Sequence, residues 1–442
     1  MPLQQPLIRV GLLDGRREIR GRLQGPARLD DGRTVAGPFH ASSVGGRIHF
    51  AFPDAGAVAE GPGIGIEPLG ETTTLLQGVT VGADFHWRRD RDLAYAGRME
   101  FSLRPDGALR AVNVLPLEEY LVSVISSEMN SGAPPEFLKA HAVVSRSWLT
   151  AALRRAARRT GAAAFPRTTP PGACIRWYER EDHEGFDVCA DDHCQRYRGT
   201  GDFLSGGAAA AVRATAGLFL VHNGEVCDAR YSKACGGMTE CFETAWDDRS
   251  VPYLQSVADA PGPFAPLRTE EEVRKWLAGR PPAYCGTSDG ELLAQVLNDS
   301  DRPTTDFFRW CVTYERPRLE AILREKSGID FGRLEAIVPL ERGPSGRIRL
   351  LRIAGTKETR TVGKELEIRR WLSPTHLYSS AFVVDAERDA AGLPARFVFR
   401  GGGWGHGVGF CQIGAAAMAN AGFPAERILL HYFRGAELRT LY

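Results

Sequence analysis

The sequence predicts an α+β fold with a β-rich N-terminal part, a central helical pair with mixed strands, and a strand, glycine loop and helix at the C-terminus. Three observations predict it. Residues 1–112 hold short alternating runs such as RIHFAF, YAGRMEFSL and LRAVNVL between glycine-rich turns, the period-two pattern of half-buried strands. From residue 115 the apolar spacing lengthens to that of one helix face. Near the end, RFVFR runs into GGGWGHGVGF at 401–410 and then QIGAAAMANAG, which reads as strand, loop and small-residue helix.

The elements follow in order. The β-rich domain covers 1–112. A core domain over 113–261 opens with LPLEEYLVSVISSEM, whose Leu117, Tyr120, Leu121, Val124 and Ile125 line one helix face. The paired prolines Pro134 and Pro135 break the chain, and PEFLKAHAVVSRSWLTAALRRAARR resumes as a longer helix with proline in its first turn. Strands are expected at GLFLVHNG and DARYSKACGG. A charged helical insertion spans 262–330, with TEEEVRKWL and RLEAILREK as its helices, and the strand pattern returns over 331–442 in GRIRLLRIAG and AFVVDAE. No internal repeat is present.

Composition narrows the function. At 442 residues the chain holds roughly two or three domains. Lys plus Arg number 55 against 54 Asp plus Glu, so the net charge carries neither a nucleic-acid footprint nor a polybasic membrane patch. The basic cluster LRRAARR at 153–159 reads as a solvated helix end. No run approaches the roughly 18 apolar residues of a membrane helix. The start, MPLQQPLIRVGLL, lacks the basic, apolar and small-residue order of a secretory leader. Two locations follow: the cytoplasm, or the cell envelope if a leader has been removed. The nine cysteines are an odd number and cannot all pair within the chain.

Glu128 falls on the apolar stripe of the first helix, three residues after Ile125 and seven after Leu121, and in its last turn. Partial burial and the negative end of the helix dipole both penalise the anion there. A carboxylic acid that keeps its proton is what a general acid needs to protonate a leaving oxygen; the alternative is a boundary glutamate bent out to solvent. The glycine loop is the second candidate, because six glycines in ten residues around Trp404 and His406 point to a close approach that a Cβ would forbid. Neither G-x-G-x-x-G nor G-K-[ST] can be threaded through it, so nucleotide binding has no support. A third feature is CIRWYEREDHEGFDVCADDHCQRYRG, which gathers Cys174, His183, Cys189, His193 and Cys194. Thiolate and imidazole donors at short spacing suit a structural or catalytic zinc site, while a disulfide or free buried thiols are the alternatives.

Three blocks in order carry a family resemblance: LPLEEYLVSVISSEM with LKAHAVVSRSW, then ARYSKACGGMTECFETAW with PYLQSV, then GGGWGHGVGFCQIGAAAMANAGFPAERILLHYF. They resemble the SpoIID/LytB family of peptidoglycan proteins, whose catalytic members are lytic transglycosylases. The resemblance implies that Glu128 is the acid and base acting on the bond between N-acetylmuramic acid and N-acetylglucosamine, with the sugar's own 6-hydroxyl closing an anhydro ring. It implies one substrate cleft lined by Tyr231, Ser232, Gly236, Gly237, Thr239, Trp404, His406 and Gln412. Tyr231 and Trp246 have core packing as their alternative, and Lys139 and Arg146, seven apart on one helix, either bind substrate carboxylate and acetamide groups or form structural ion pairs. It implies a structural zinc held by His183, Cys189 and Cys194, with no metal required for the chemistry. The implied partners are peptidoglycan glycan strands and, in the LytB branch, an N-acetylmuramoyl-L-alanine amidase that the protein enhances without cutting glycan. A cytoplasmic metal-dependent enzyme of unrelated chemistry is the third reading.

Overall fold

Strand alternation in the first hundred residues becomes a sheet in the computed structural model, which describes residues 5–83, 88–130, 132–159, 169, 172–177, 183–201, 204, 206–298, 301 and 306–442. The chain divides into two compact units, Met1–Gly132 with Arg180–Leu218 and Thr440–Tyr442, and Ala133–Glu179 with Phe219–Arg439. In the first unit the strands are β1 (Leu7–Arg16), β2 (Glu18–Leu29), β3 (Thr34–Val44), β4 (Arg47–Phe52), β5 (Ala57–Gly61), β6 (Gly63–Pro68), β7 (Thr74–Val81), β8 (Arg89–Tyr95), β9 (Arg98–Leu103) and β10 (Leu109–Pro116). They pair in the order β1-β10-β9-β6-β2-β3-β4-β5, with β7 joining β2 to β8. β2 shows why: Ile19, Gly21 and Leu23 turn inward while Arg20, Arg22 and Gln24 face solvent. Gly21 lies against Phe39, which belongs to a buried cluster with Phe50, Phe52 and Phe101, Phe50 and Phe101 being edge to face at 4.9 Å.

β10 leads directly into α1 (Leu117–Glu128). The predicted face is the buried one, since Leu117, Tyr120, Leu121, Val124 and Ile125 are fully enclosed. The helix stops at Glu128 because Met129 is extended. After α1 the chain re-enters this unit through a two-residue strand, Val188–Cys189, which pairs parallel to β1 as Val10 to Val188 and Gly11 to Cys189. Gly11 is needed there: a Cβ would lie 2.7 Å from the Phe186 ring.

The second unit begins with α2 (Pro135–Arg159), which starts on proline, where a missing N–H costs nothing. Two of its sheets have antiparallel centres: Pro394–Gly402 lies between Arg309–Glu315 and Phe382–Arg388, and Ile348–Gly355 between Leu334–Arg342 and Thr359–Gly363. Trp310, Phe331, Ile348, Ile353, Trp371 and Phe397 pack together in its core. Within 262–330 the helices Glu270–Ala278, Gly290–Val296 and Arg316–Ser327 match the charged helical pattern, but Arg309–Glu315 is a strand. The period-two signal is present in RWCVTYE, since Trp310, Val312 and Tyr314 turn inward while Cys311, Thr313 and Glu315 are exposed. DARYSKACGG forms only the two-residue strand Tyr231–Ser232. Among the described residues no helix is long and apolar enough to cross a membrane.

Candidate functional site

Glu128 closes α1 with 8% of its surface exposed. Its Oε1 accepts a hydrogen bond from the backbone N–H of Arg196 at 3.1 Å. The segment that supplies this donor is fastened along the helix, because Ser123 Oγ accepts from the Arg198 N–H at 3.2 Å and Tyr120 Oη donates to Gln195 Oε1 at 3.2 Å. Tyr197 stacks between Tyr120 and Tyr95, at 5.2 and 5.8 Å between ring centres, and its hydroxyl donates to Asn113. Asp192 and Arg196 form an ion pair at 2.6 Å beside this arrangement. Burial pushes the Asp192 carboxyl up to about 6, against the pull of Arg196 and with the charge of Glu128 adding to the rise.

The same segment gathers the metal-type side chains. His183 Nε2 lies 3.2 Å from Cys194 Sγ, and His193 Nδ1 lies 3.4 Å from Cys194 Sγ and 3.9 Å from Cys189 Sγ. The four donor atoms are all within 4.8 Å of one another, close enough to hold one metal ion. The Cys189 thiol is held well below the usual thiol range, chiefly by its bond to Cys194 and then by the two histidines, despite burial. The structure therefore brings together His183, Cys189 and Cys194, the set that the family resemblance implies, and with them His193, which the sequence reading gathered into the same segment. Cys174 is elsewhere, in the strand Ala173–Ile175 paired to Thr359–Gly363.

In the second unit the glycine loop is knitted to the segment 230–240. Tyr231 and Ser232 pair parallel to Phe410 and Cys411, Ala234 and Trp404 exchange backbone hydrogen bonds of 3.1 and 2.7 Å, and the Glu240 N–H donates to the Gly407 carbonyl at 2.9 Å. The glycines answer to this packing. A Cβ on Gly401 would enter the Trp310 ring at 2.1 Å, one on Gly409 would meet the Arg230 carbonyl at 2.3 Å, and one on Gly407 would strike the Arg347 guanidinium at 2.3 Å. The close approach that the sequence predicts is made at these three positions by the protein's own atoms.

Arg347 is the hidden partner of the loop. Fully buried, it donates from Nε and Nη2 to the Gly405 carbonyl at 3.3 and 3.2 Å, and from Nη1 to the Cys235 carbonyl and Ser345 Oγ, both at 3.0 Å. Ser345 Oγ in turn donates to Glu240 at 2.7 Å. Burial pushes the Glu240 carboxyl up, against its hydrogen bonds to Ser345 and Cys241 and the nearby Arg347 charge. No local motif in the sequence announces this network.

What stays half-exposed is the tip, Trp404, Gly405 and His406. Trp404 stacks on Phe307 at 4.9 Å and leans on Tyr378 at 4.7 Å, and His406 meets Trp246 edge to face at 4.6 Å. His406 Nδ1 accepts from the Val408 N–H at 3.0 Å, which leaves Nε2 as the protonated nitrogen of the neutral ring. Tyr231 is half-buried and Ser232 buried. Three expected substrate contacts lie inside instead. Gln412 is 2% exposed with its amide 3.3 Å from His141, Thr239 is enclosed and bonded to the Val257 backbone, and Arg146 is fully enclosed. Gly236 and Gly237 have positive φ and face Gly403 and the Trp276 ring. Lys139 forms the ion-pair alternative, with Glu136 at 2.7 Å.

Residues 105–222, which contain Glu128 and the Cys/His segment, match the family model described as Stage II sporulation protein. The chain is 23% identical over 333 residues to Stage II sporulation protein D of Bacillus subtilis (strain 168), covering 75% of this chain and 76% of that protein, and 23% identical over 332 residues to its counterpart from Bacillus amyloliquefaciens, covering 74% and 75%. These matches support assigning the chain to the SpoIID family. It is also 26% identical over 246 residues to the amidase enhancer of Bacillus subtilis (strain 168), which covers 52% of this chain but 32% of that protein. Residues 240–409, with Trp404 and His406, match a domain of unknown function (DUF8618). The SpoIID match thus takes in the carboxylate and the metal-type donors but stops before the glycine loop.

Proposed function

We propose that this SpoIID-family protein is a lytic transglycosylase that cleaves peptidoglycan glycan strands from which stem peptides have been removed, with Glu128 as the acid and base. The observation that carries the reading is a nearly buried carboxylate on the apolar face of α1, at the carbonyl end of that helix, oriented by the Arg196 main-chain N–H. Glu128 gives its proton to the glycosidic oxygen as the bond to the muramyl C1 breaks, leaving an oxocarbenium-like sugar. The resulting carboxylate then takes the proton of the muramyl 6-hydroxyl as its oxygen bonds to C1. The product is the anhydro ring, and Glu128 ends the cycle protonated. Because the nucleophile is already part of the substrate, proximity supplies much of the rate and no second carboxylate has to position water. In the second unit the half-exposed Trp404 and His406 are proposed as glycan-binding groups in their own right, Trp404 by its apolar face and His406 through Nε2–H.

For the His183, Cys189, His193 and Cys194 set we propose zinc, which thiolate and imidazole donors suit. Its role is structural: it orders the segment that carries the Arg196 N–H. The substrate implies the cell envelope as the site of action. The likeness to an amidase enhancer supports a second reading, in which the protein holds glycan for an amidase without cutting it. Incubation with purified glycan strands, with and without stem peptides, separates the two. Anhydro-muramyl ends detected by mass spectrometry support the transglycosylase, and intact strands together with faster amidase turnover support the enhancer.

A further inference from the structure

The second unit holds another group of metal-type side chains, assembled from four distant parts of the sequence. Cys235 lies in the turn after the strand Tyr231–Ser232, Asp259 follows PYLQSVA, Cys285 sits in the short turn Tyr284–Gly286, and Cys411 precedes the helix Gln412–Asn420 as its N-cap. All four are buried, at 2% exposure or less. Their donor atoms lie within 4.8 Å of one another, and every cysteine is a free thiol.

The geometry is that of a coordination shell. Cys235 Sγ and Cys285 Sγ are 3.7 Å apart, and two sulfurs on a tetrahedral zinc at about 2.3 Å are separated by roughly 3.8 Å. The outer contacts orient the donors. Cys411 Sγ accepts from the Cys235 N–H at 3.2 Å, and the positive end of the following helix favours its thiolate. Asp259 Oδ1 accepts from Tyr432 Oη at 2.6 Å and Oδ2 from the Cys285 N–H at 2.8 Å, which fixes the carboxylate and leaves lone pairs for an ion. Gly414 makes room for it, since a Cβ there would lie 2.3 Å from Asp259 Oδ1. Among the described residues the side-chain oxygens of Asp259 meet a hydroxyl and an amide N–H and no basic side chain, although a buried carboxylate needs a compensating charge. Three thiolates and a carboxylate around a divalent ion leave an excess of negative charge. Two guanidinium groups flank it by donating to the carbonyls of Cys235 and Gly236, from Arg347 and Arg309, each at 3.0 Å.

We propose that Cys235, Asp259, Cys285 and Cys411 bind one zinc ion as a closed structural site in the core of this unit. With four protein ligands the ion has no open position, so it ties four chain segments together and does not take part in the chemistry. The site is closed off from solvent, and the ion enters as the chain folds. The proposal is independent of the transglycosylase reading.

The test is metal analysis of the full-length protein purified under reducing conditions, beside the C189S/C194S variant. That variant leaves the core untouched and removes two donors from the other set. The expected result is about one zinc per chain retained in C189S/C194S, whether or not the wild type holds a second. Replacement by cobalt in the same variant should give the intense near-ultraviolet band of thiolate ligation, reduced by about a third when Cys411→Ser is added. A C189S/C194S protein that is folded and free of zinc overturns the proposal. So does a disulfide among Cys235, Cys285 and Cys411 found by peptide mapping.

Discussion

Removing the Arg347 side chain should uncouple the glycine loop from the body of its unit. In Arg347→Ala the carbonyls of Cys235 and Gly405 and the hydroxyl of Ser345 lose their donor. Each buried acceptor left unpaired costs about 1–3 kcal/mol. The Gly405 carbonyl is half-exposed and can recruit water, so it falls at the low end, while Cys235 and Ser345 are enclosed and fall in the middle. Glu240 also loses the nearby positive charge, which makes its buried anion harder to keep. The sum is at least about 5 kcal/mol, a large share of a typical folding stability of about 5–15 kcal/mol. Arg347→Lys keeps the charge but not the planar fork and should recover about half. The assay is urea unfolding followed by tryptophan fluorescence, with Trp310 and Trp404 as nearby reporters. A loss below about 1 kcal/mol in Arg347→Ala would refute the view that this guanidinium holds the loop.

Glu128→Gln should lower glycan cleavage by at least about 10²–10⁴-fold, yet change stability by no more than about 1 kcal/mol, because the amide oxygen still accepts from the Arg196 N–H. Counting anhydro-muramyl ends alongside thermal unfolding checks both halves. Cys189→Ser should lower the zinc content and the Tm together, since a hydroxyl is a poor ligand for this ion, with activity falling as far as the Cys/His segment supports Glu128. His431→Gln should flatten the acid side of the stability profile. Burial, with the Arg434 charge second, holds the His431 imidazole below its usual value of about 6.5. Its neutral form therefore contributes stability that is present above about pH 6.5 and lost as pH falls through the folded value. Urea midpoints at pH 7.5 and 5 should differ more in the wild type than in the variant.

The parts of this molecule that the sequence made legible are those written in one short stretch. The face of α1 shows in five apolar positions, and its end shows in NSGAPP, so the placement of Glu128 could be reasoned without coordinates. Spacing grouped Cys174, His183, Cys189, His193 and Cys194 in one segment, and the family resemblance picked out His183, Cys189 and Cys194 among them. Burial of polar side chains was not legible in the same way. Gln412 and Thr239 look like sugar contacts in one dimension and turn out to be bonded to His141 and Val257. The glycines signalled close approach correctly, but a sequence does not say whether the approaching group is a ligand or an arginine from far along the chain. Cys235, Cys285 and Cys411 escaped notice because no local spacing links them.

The donor facing Glu128 belongs to the main chain. Every residue except one carries the same N–H, so in a saturation mutagenesis experiment most substitutions at position 196 would report the loss of the buried ion pair with Asp192 and keep the tether. Proline alone deletes it. The tether would register as the gap between proline and every other substitution in that column, over and above the common cost of losing the guanidinium.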